Sequence, residues 1–278
     1  MTRQLEPAGS KSSAKRKNFG LVFLFMFVAG GVFGSVSCRK SQPITPERQL
    51  TLDVQSAVVK IQQADALYDQ RDDLSKVREG LTLLRQAQLE DSSSYEVAWR
   101  LSKFDYYLGA HTTNEDESYK AFREGIEAGK RAVSFQGGKP EGHFWLGANL
   151  GGNAQANTLA GLTDVEDIRL EMEAVLKIDE GFQGGSAYLG LGQVYLQAPR
   201  LLGGDVGKAI ELLEKGKRVG PTNAMMRLRL AEAYHAAKRD ADARRELNEL
   251  FSLTPAKGFE PEYKEAVSEG HKLMEQLR

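Results

Sequence analysis

The sequence is poor in several things at once. Its 278 residues hold one cysteine, four histidines, eight prolines and a net charge of only −1. With Cys38 alone, no disulfide forms within the chain, and no thiol nucleophile remains in the body that follows. No pair among His111, His143, His235 and His271 has the spacing of a helical metal site. Balanced charge removes the electrostatic footprint of a nucleic-acid binder. Sustained alternation of β-branched residues is missing, so no segment reads as a strand. There is no Gly-x-Ser-x-Gly elbow.

Two glycine-rich stretches invite a nucleotide reading, and both fail on detail. In "LLGGDVGKA" (residues 201–209), Leu202 stands where a phosphate loop needs its first glycine, and Ala209 where Ser or Thr would meet magnesium. "GLGQVY" (residues 190–195) lacks the third glycine of a dinucleotide fingerprint and falls inside a helical pattern. The sequence therefore predicts no catalytic residue, no metal and no cofactor. It reads as a binding protein, not an enzyme.

What is present is helix. Ala, Leu, Glu, Lys and Gln dominate after residue 50, which predicts an all-α fold. The amino terminus differs. Basic "KSSAKRKN" precedes an uncharged apolar run of 18 residues, "FGLVFLFMFVAGGVFGSV", and then "SCRK". A basic flank before such a run marks a secretory signal or an amino-terminal membrane anchor. Cys38 at its end resembles the lipidated cysteine of bacterial lipoproteins, with Val36 and Ser37 suiting that box and Ser35 departing from it. Lipid anchor, uncleaved helix and ordinary secretion stay open. The resulting division is a signal peptide or anchor over 1–38, a polar tether over 39–56, and a folded body over 57–278.

Within that body a repeat is visible. Pro221 and Pro255 are 34 residues apart, and Leu230, Ala231, Tyr234, Ala243, Leu247 and Leu250 lie between them at the small and large positions of a helix pair. Tyr188, Leu191, Gly192, Tyr195, Ala209, Leu213, Gly216 and Pro221 repeat the pattern one unit earlier, if extra residues are accommodated in "APRLLGG". That segment predicts a lengthened turn, ended by Asp205 as a helix cap. Looser units begin at "HFWLGANLGG", "YEVAWRLSKFDYYLG" and "VVKIQQADALY". In the first of these, a long turn is expected over residues 151–164. "HTTNEDES" (residues 111–118) reads as an acidic turn capping the next helix. A last amphipathic helix, "PEYKEAVSEGHKLMEQLR", would cap the stack.

These residues resemble tetratricopeptide repeats throughout 57–278. The resemblance implies a right-handed solenoid of about five helix pairs plus a C-terminal capping helix. The order "HFWLGANLGG", "LKIDEGFQGGSAYLGLGQVY", "APRLLGGDVGKAIELLEKG" also resembles the T-component lipoproteins of TRAP transporters. That likeness implies a membrane-anchored protein facing the periplasm or cell exterior. It would bind a protein partner, such as a periplasmic substrate-binding protein, and assist uptake of a small organic ligand. "YEVAWRLSKFDYYLG" resembles the regulator of microtubule dynamics family as well, which implies a membrane-tethered interaction scaffold without a small ligand. Either reading is compatible with an oligomer, and neither involves nucleic acid.

Solenoids of this kind bind on the face built from first helices. The repeat register puts Arg100, Phe104, Tyr107, His143, Asn153, Gln193, Glu232 and His235 there as candidate ligand or partner contacts. Cys38 is the candidate lipidation site. The long turns at 151–164 and 198–204 belong to successive units, so they are expected side by side as one rim of the binding surface.

Overall fold

The computed structural model describes residues 45–156 and 158–277. Cys38, the apolar run and the first part of the expected tether lie outside them. Among the described residues, eleven α-helices and one short 3-10 turn make up the regular structure. Ten of the helices form antiparallel pairs: α1 (Pro46–Tyr68) with α2 (Leu74–Glu90), α3 (Tyr95–His111) with α4 (Glu115–Gln136), α5 (Pro140–Ala156) with α6 (Thr158–Ile178), α7 (Ser186–Gln197) with α8 (Val206–Val219), and α9 (Ala224–Ala236) with α10 (Asp240–Phe251). The last, α11 (Glu260–Gln276), covers the open side of the fifth pair. This is the solenoid with a capping helix that the repeat predicts.

Local chemistry sets the helix starts. Asp73, Asn114, Asp205 and Asn223 each accept a backbone N–H of the first turn on the side chain, which satisfies donors that no helix can satisfy internally. Asn114 begins the acidic stretch read as a cap, with Glu115, Asp116 and Glu117 in the first turn. Acids there also suit the positive end of the helix dipole.

Each odd-numbered helix packs on the next odd-numbered one, while successive even-numbered helices make no comparable contact. The stack therefore bends toward the odd layer, which becomes the inner face. Small residues permit the close crossings. A Cβ on Gly80 would lie 2.4 Å from the Phe104 ring, and one on Gly192 would lie 2.5 Å from Leu213. Ala209 and Ala243 are completely buried. Apolar clusters run through the stack, from Val77, Leu81, Leu84 and Phe104 at one end to Leu228, Leu230, Leu247 and Leu250 at the other.

Two polar knots join the layers. Ser102 donates to the Gly125 carbonyl at 2.8 Å, and Asn149 donates to the Ser102 and Trp145 carbonyls at 2.9 and 2.8 Å, which ties α3, α4 and α5. Glu246 on α10 is 1% exposed and accepts from Lys217 on α8 and Arg227 on α9 at 2.7 and 3.1 Å. A buried carboxylate needs such partners to stay charged.

Two sequence expectations are corrected. The tether was expected to run to residue 56, but residues 46–56 are helical. Thr45 caps α1, Pro46 suits its first turn, and no breaker follows before Tyr68. Lys60 pairs with Glu90 at the end of α2, so the first turns of α1 overhang the pair and leave Leu50 62% exposed. The second correction concerns 151–164. Its described residues are the end of α5 and the start of α6. Gly151 and Gly152 are not turn residues. A Cβ on Gly152 would sit 2.2 Å from the Phe122 ring, so the second glycine admits a neighbouring helix. "APRLLGG" behaves as expected. Residues 200–202 form the 3-10 turn, Gly203 has φ 87°, and Asp205 caps α8. A Cβ on Gly204 would meet the Ala198 carbonyl oxygen at 1.9 Å. The same dipeptide thus serves packing in one place and a turn in the other.

Candidate functional site

The residues proposed from the register are scattered along the odd layer, and they do not share one surface. Phe104 is 0% exposed and belongs to the first core cluster, and Tyr107 is buried against Tyr68 and His111. Both rings pack against Tyr68 between α1 and α3. Arg100 lies beside them but is engaged. Its Nε donates to Asp65 at 2.9 Å, its Nη1 to Glu96 at 2.7 Å, and its guanidinium lies over Trp99. His143 is held between Glu171 at 2.5 Å and the Gly137 carbonyl at 2.9 Å. The Glu171 carboxylate raises the pKa of its ring, against a smaller opposing effect of burial. Asn153 is buried in α5.

Three of the candidates do line hollows. Glu232 and His235 border a shallow trough of about 450 Å³ between α9 and α11, with Glu269, Lys272 and Leu273 opposite. Arg229 pairs with Glu232 and Glu269 at 2.6 and 3.0 Å, and His235 with Asp240 at 2.8 Å. Its acids Glu232 and Glu269 and its His235 are thus already engaged.

Gln193 lines the more distinctive cavity, of about 350 Å³, between α5, α6 and α7. Its walls are Gly147, Gly151 and Ala154 of α5, Val165, Ile168 and Met172 of α6, and Gly190, Gln193, Val194 and Gln197 of α7, closed at one side by Ala198 and Pro199. Glycine creates this space. Gly147 and Gly190 let Met172 nest between α5 and α7, since a Cβ on either would lie 2.7 Å from its Cε or 3.0 Å from its Sδ. A Cβ on Gly151 would meet nothing within 4 Å, so that position opens directly on the hollow. The lining is aliphatic except for three amides. Gln155 donates to Gln197 at 3.2 Å across the mouth, which ties the end of α5 to the end of α7. The expected rim is thus present in part: residues 151–155 and 198–199 border one cavity, although the first is helix rather than turn.

Sequence reasoning missed this cavity because its makers are absences. Glycines at 147 and 151 are one helical turn apart, on the same face as Ala154. In sequence, such a small-residue stripe signals only permission for close packing. Among the described residues, no group of His, Cys, Asp and Glu is placed to hold a metal ion. No described helix is long and apolar enough to cross a membrane.

Comparison with known proteins agrees with this architecture. The family model described as regulator of microtubule dynamics protein 1-3 matches residues 60–162, from α1 into the start of α6. A thermophilic tetratricopeptide repeat protein of Thermus thermophilus is similar in structure, with a TM-score of 0.56 and 20% identity, over 74% of this chain and 98% of that one. PilF of Pseudomonas aeruginosa is similar with a TM-score of 0.54 and 15% identity, over 81% of this chain and 93% of that one. No curated protein matches the sequence. The chain has the fold of a tetratricopeptide-like α-solenoid.

Proposed function

We propose that the protein is a membrane-anchored tetratricopeptide scaffold that takes a small, mainly apolar organic ligand between its third and fourth repeats while engaging a protein partner. The observation that carries this reading is the cavity between α5, α6 and α7. Its walls are aliphatic, its polar groups are three amides, and its mouth is bordered by the ends of two successive first helices. Such a hollow fits an apolar body with one or two hydrogen-bonding groups. It offers no charged wall on which a bare anion would be held. A role beside a TRAP-type transporter, on the outer side of the membrane with Cys38 as anchor, follows from the sequence resemblance and is consistent with a ligand-sized pocket.

The second reading is a tethered interaction scaffold without a small ligand. It is favoured by the family match over residues 60–162. A single substitution separates the two. Gly151→Leu places a side chain into the cavity from a position with free space, and leucine is the better helix former by somewhat less than the roughly 0.8–1.0 kcal/mol that separates glycine from alanine. The thermal midpoint is expected to hold or rise. Small apolar ligands that co-purify with the parent protein, detected by native mass spectrometry, should be lost. If the parent carries none, or the variant retains them, the small-ligand reading fails and the scaffold reading stands.

A further inference from the structure

Neighbouring repeats of this solenoid pack helix on helix, with short polar ties between adjacent units such as Asn149–Ser102 and Lys217–Glu246. One junction is different in kind, and it joins residues about as far apart as the fold contains. Arg71, in the turn after α1, is 4% exposed. Its Nη2 donates to Glu262 Oε2 at 2.6 Å and to the Gly258 carbonyl at 2.5 Å, and its Nε donates to Glu262 Oε1 at 3.1 Å. The guanidinium lies over the Tyr68 ring at 4.9 Å. Next to it, Lys264 pairs with Asp72 at 3.0 Å. His111, the last residue of α3, stacks on Tyr107 at 3.9 Å and meets Glu265 at 3.6 Å. The carboxyl ends of α1 and α3 are thus fastened to the first turn of α11, and neither α1 nor α3 packs helix against helix on α11.

Such a junction has a mechanical consequence. In a solenoid each unit touches only its neighbours, so small rotations accumulate and curvature is soft. A contact between the first two units and the cap fixes that curvature. Because polar side chains hold it and no helix packs across it, it can open without unfolding any helix. Arg71 shares the Tyr68 ring with Lys103 of α3. That ammonium sits 3.6 Å above the Tyr68 ring and has no carboxylate within ion-pair distance among the described residues.

We propose that Arg71–Glu262 and its flanking pairs form a clasp that holds the solenoid shut end to end and governs access to the inner face at the first two repeats. Opening it would uncover the Tyr68 ring and the Lys103 ammonium above it, and closing it would return the first two turns of α11 to their place. This does not rest on the cavity between α5 and α7, and it can fail or hold separately.

The test uses the full chain in detergent. Glu262 is the accessible half of the pair, with 29% of its side chain exposed. Glu262→Gln should speed amide hydrogen exchange several-fold in peptides covering 66–76 and 256–268, with exchange in α5 to α8 unchanged. Acetylation of Lys103 by a soluble reagent should rise several-fold in the variant, and in the parent at high salt, with Lys130 as the exposed control. The doubly reversed protein, Arg71→Glu with Glu262→Arg, should return both readouts toward the parent. Unchanged exchange at 66–76, or a Lys103 rate that does not respond, overturns the clasp. So does exchange that rises uniformly along the chain, because it would mark a general loss of stability.

Discussion

Asp105 shows how far a single side chain can depart from what its sequence position suggests. It lies on α3 with 2% of its surface exposed. Its Oδ1 has no hydrogen-bond donor, and the nearest cation, Arg85, is 3.5 Å away. Burial pushes its pKa up to about 8, partly offset by Arg85. The folded chain therefore holds this proton more tightly than the unfolded chain, whose value is near 3.8. The stability that results is complete below the unfolded value and drains away as pH rises toward 8. Asp105→Asn keeps the shape and removes the titration. Compared with the parent at each pH, the variant should gain ground between about pH 5 and about pH 8, by at most roughly 1.4 kcal/mol per pH unit. A stability difference that stays flat in urea titrations across that range would show that the carboxyl is ionised throughout. Neither this burial nor that of Phe104 and Tyr107 was legible in the sequence. Helical spacing assigns residues to a face but does not say whether a neighbouring helix covers that face, as α1 covers Phe104 and Tyr107 while α2 and α4 flank Asp105.

At the scale of helices the sequence was more informative, and its failures have one cause. The starts of α2 and α8 follow from the caps Asp73 and Asp205, and α3 and α11 follow from apolar spacing. The segment at 151–164 was misjudged because Gly-Gly has two physical uses. Gly203 adopts φ 87° and turns the chain, whereas Gly152 stays helical and makes room for Phe122. Only the neighbour distinguishes them. The repeat register itself can be tested at Ala243, which is completely buried where α9 and α10 meet. Ala243→Leu forces a larger side chain into a closed contact and should cost about 1–3 kcal/mol. Ala256→Leu, on the exposed segment before α11, should leave the unfolding midpoint nearly unchanged. Equal shifts in a denaturant melt would mean that Ala243 is not at a close crossing.

For the molecule as a whole, attachment and shape are separate matters. The membrane reading rests on residues 1–38, and Cys38→Ala tests it: the protein should leave the membrane fraction or accumulate as an unprocessed precursor. Full retention with normal processing would favour an uncleaved helix. By itself the sequence determined the all-α class, the repeat of paired helices, the lengthened turn at 198–204 and the capping role of the last helix. Those follow from short-range rules, because periodicity, caps and turn residues act within a few positions of the chain. Tertiary structure alone decided that the ends of the stack meet through Arg71 and Glu262, that glycines on α5 and α7 leave a cavity around Met172, and that Phe104 and Tyr107 are buried. The last two depend on which side chains neighbouring helices bring against each other, and the first on how small inter-repeat rotations add up along the solenoid until residues nearly two hundred positions apart meet.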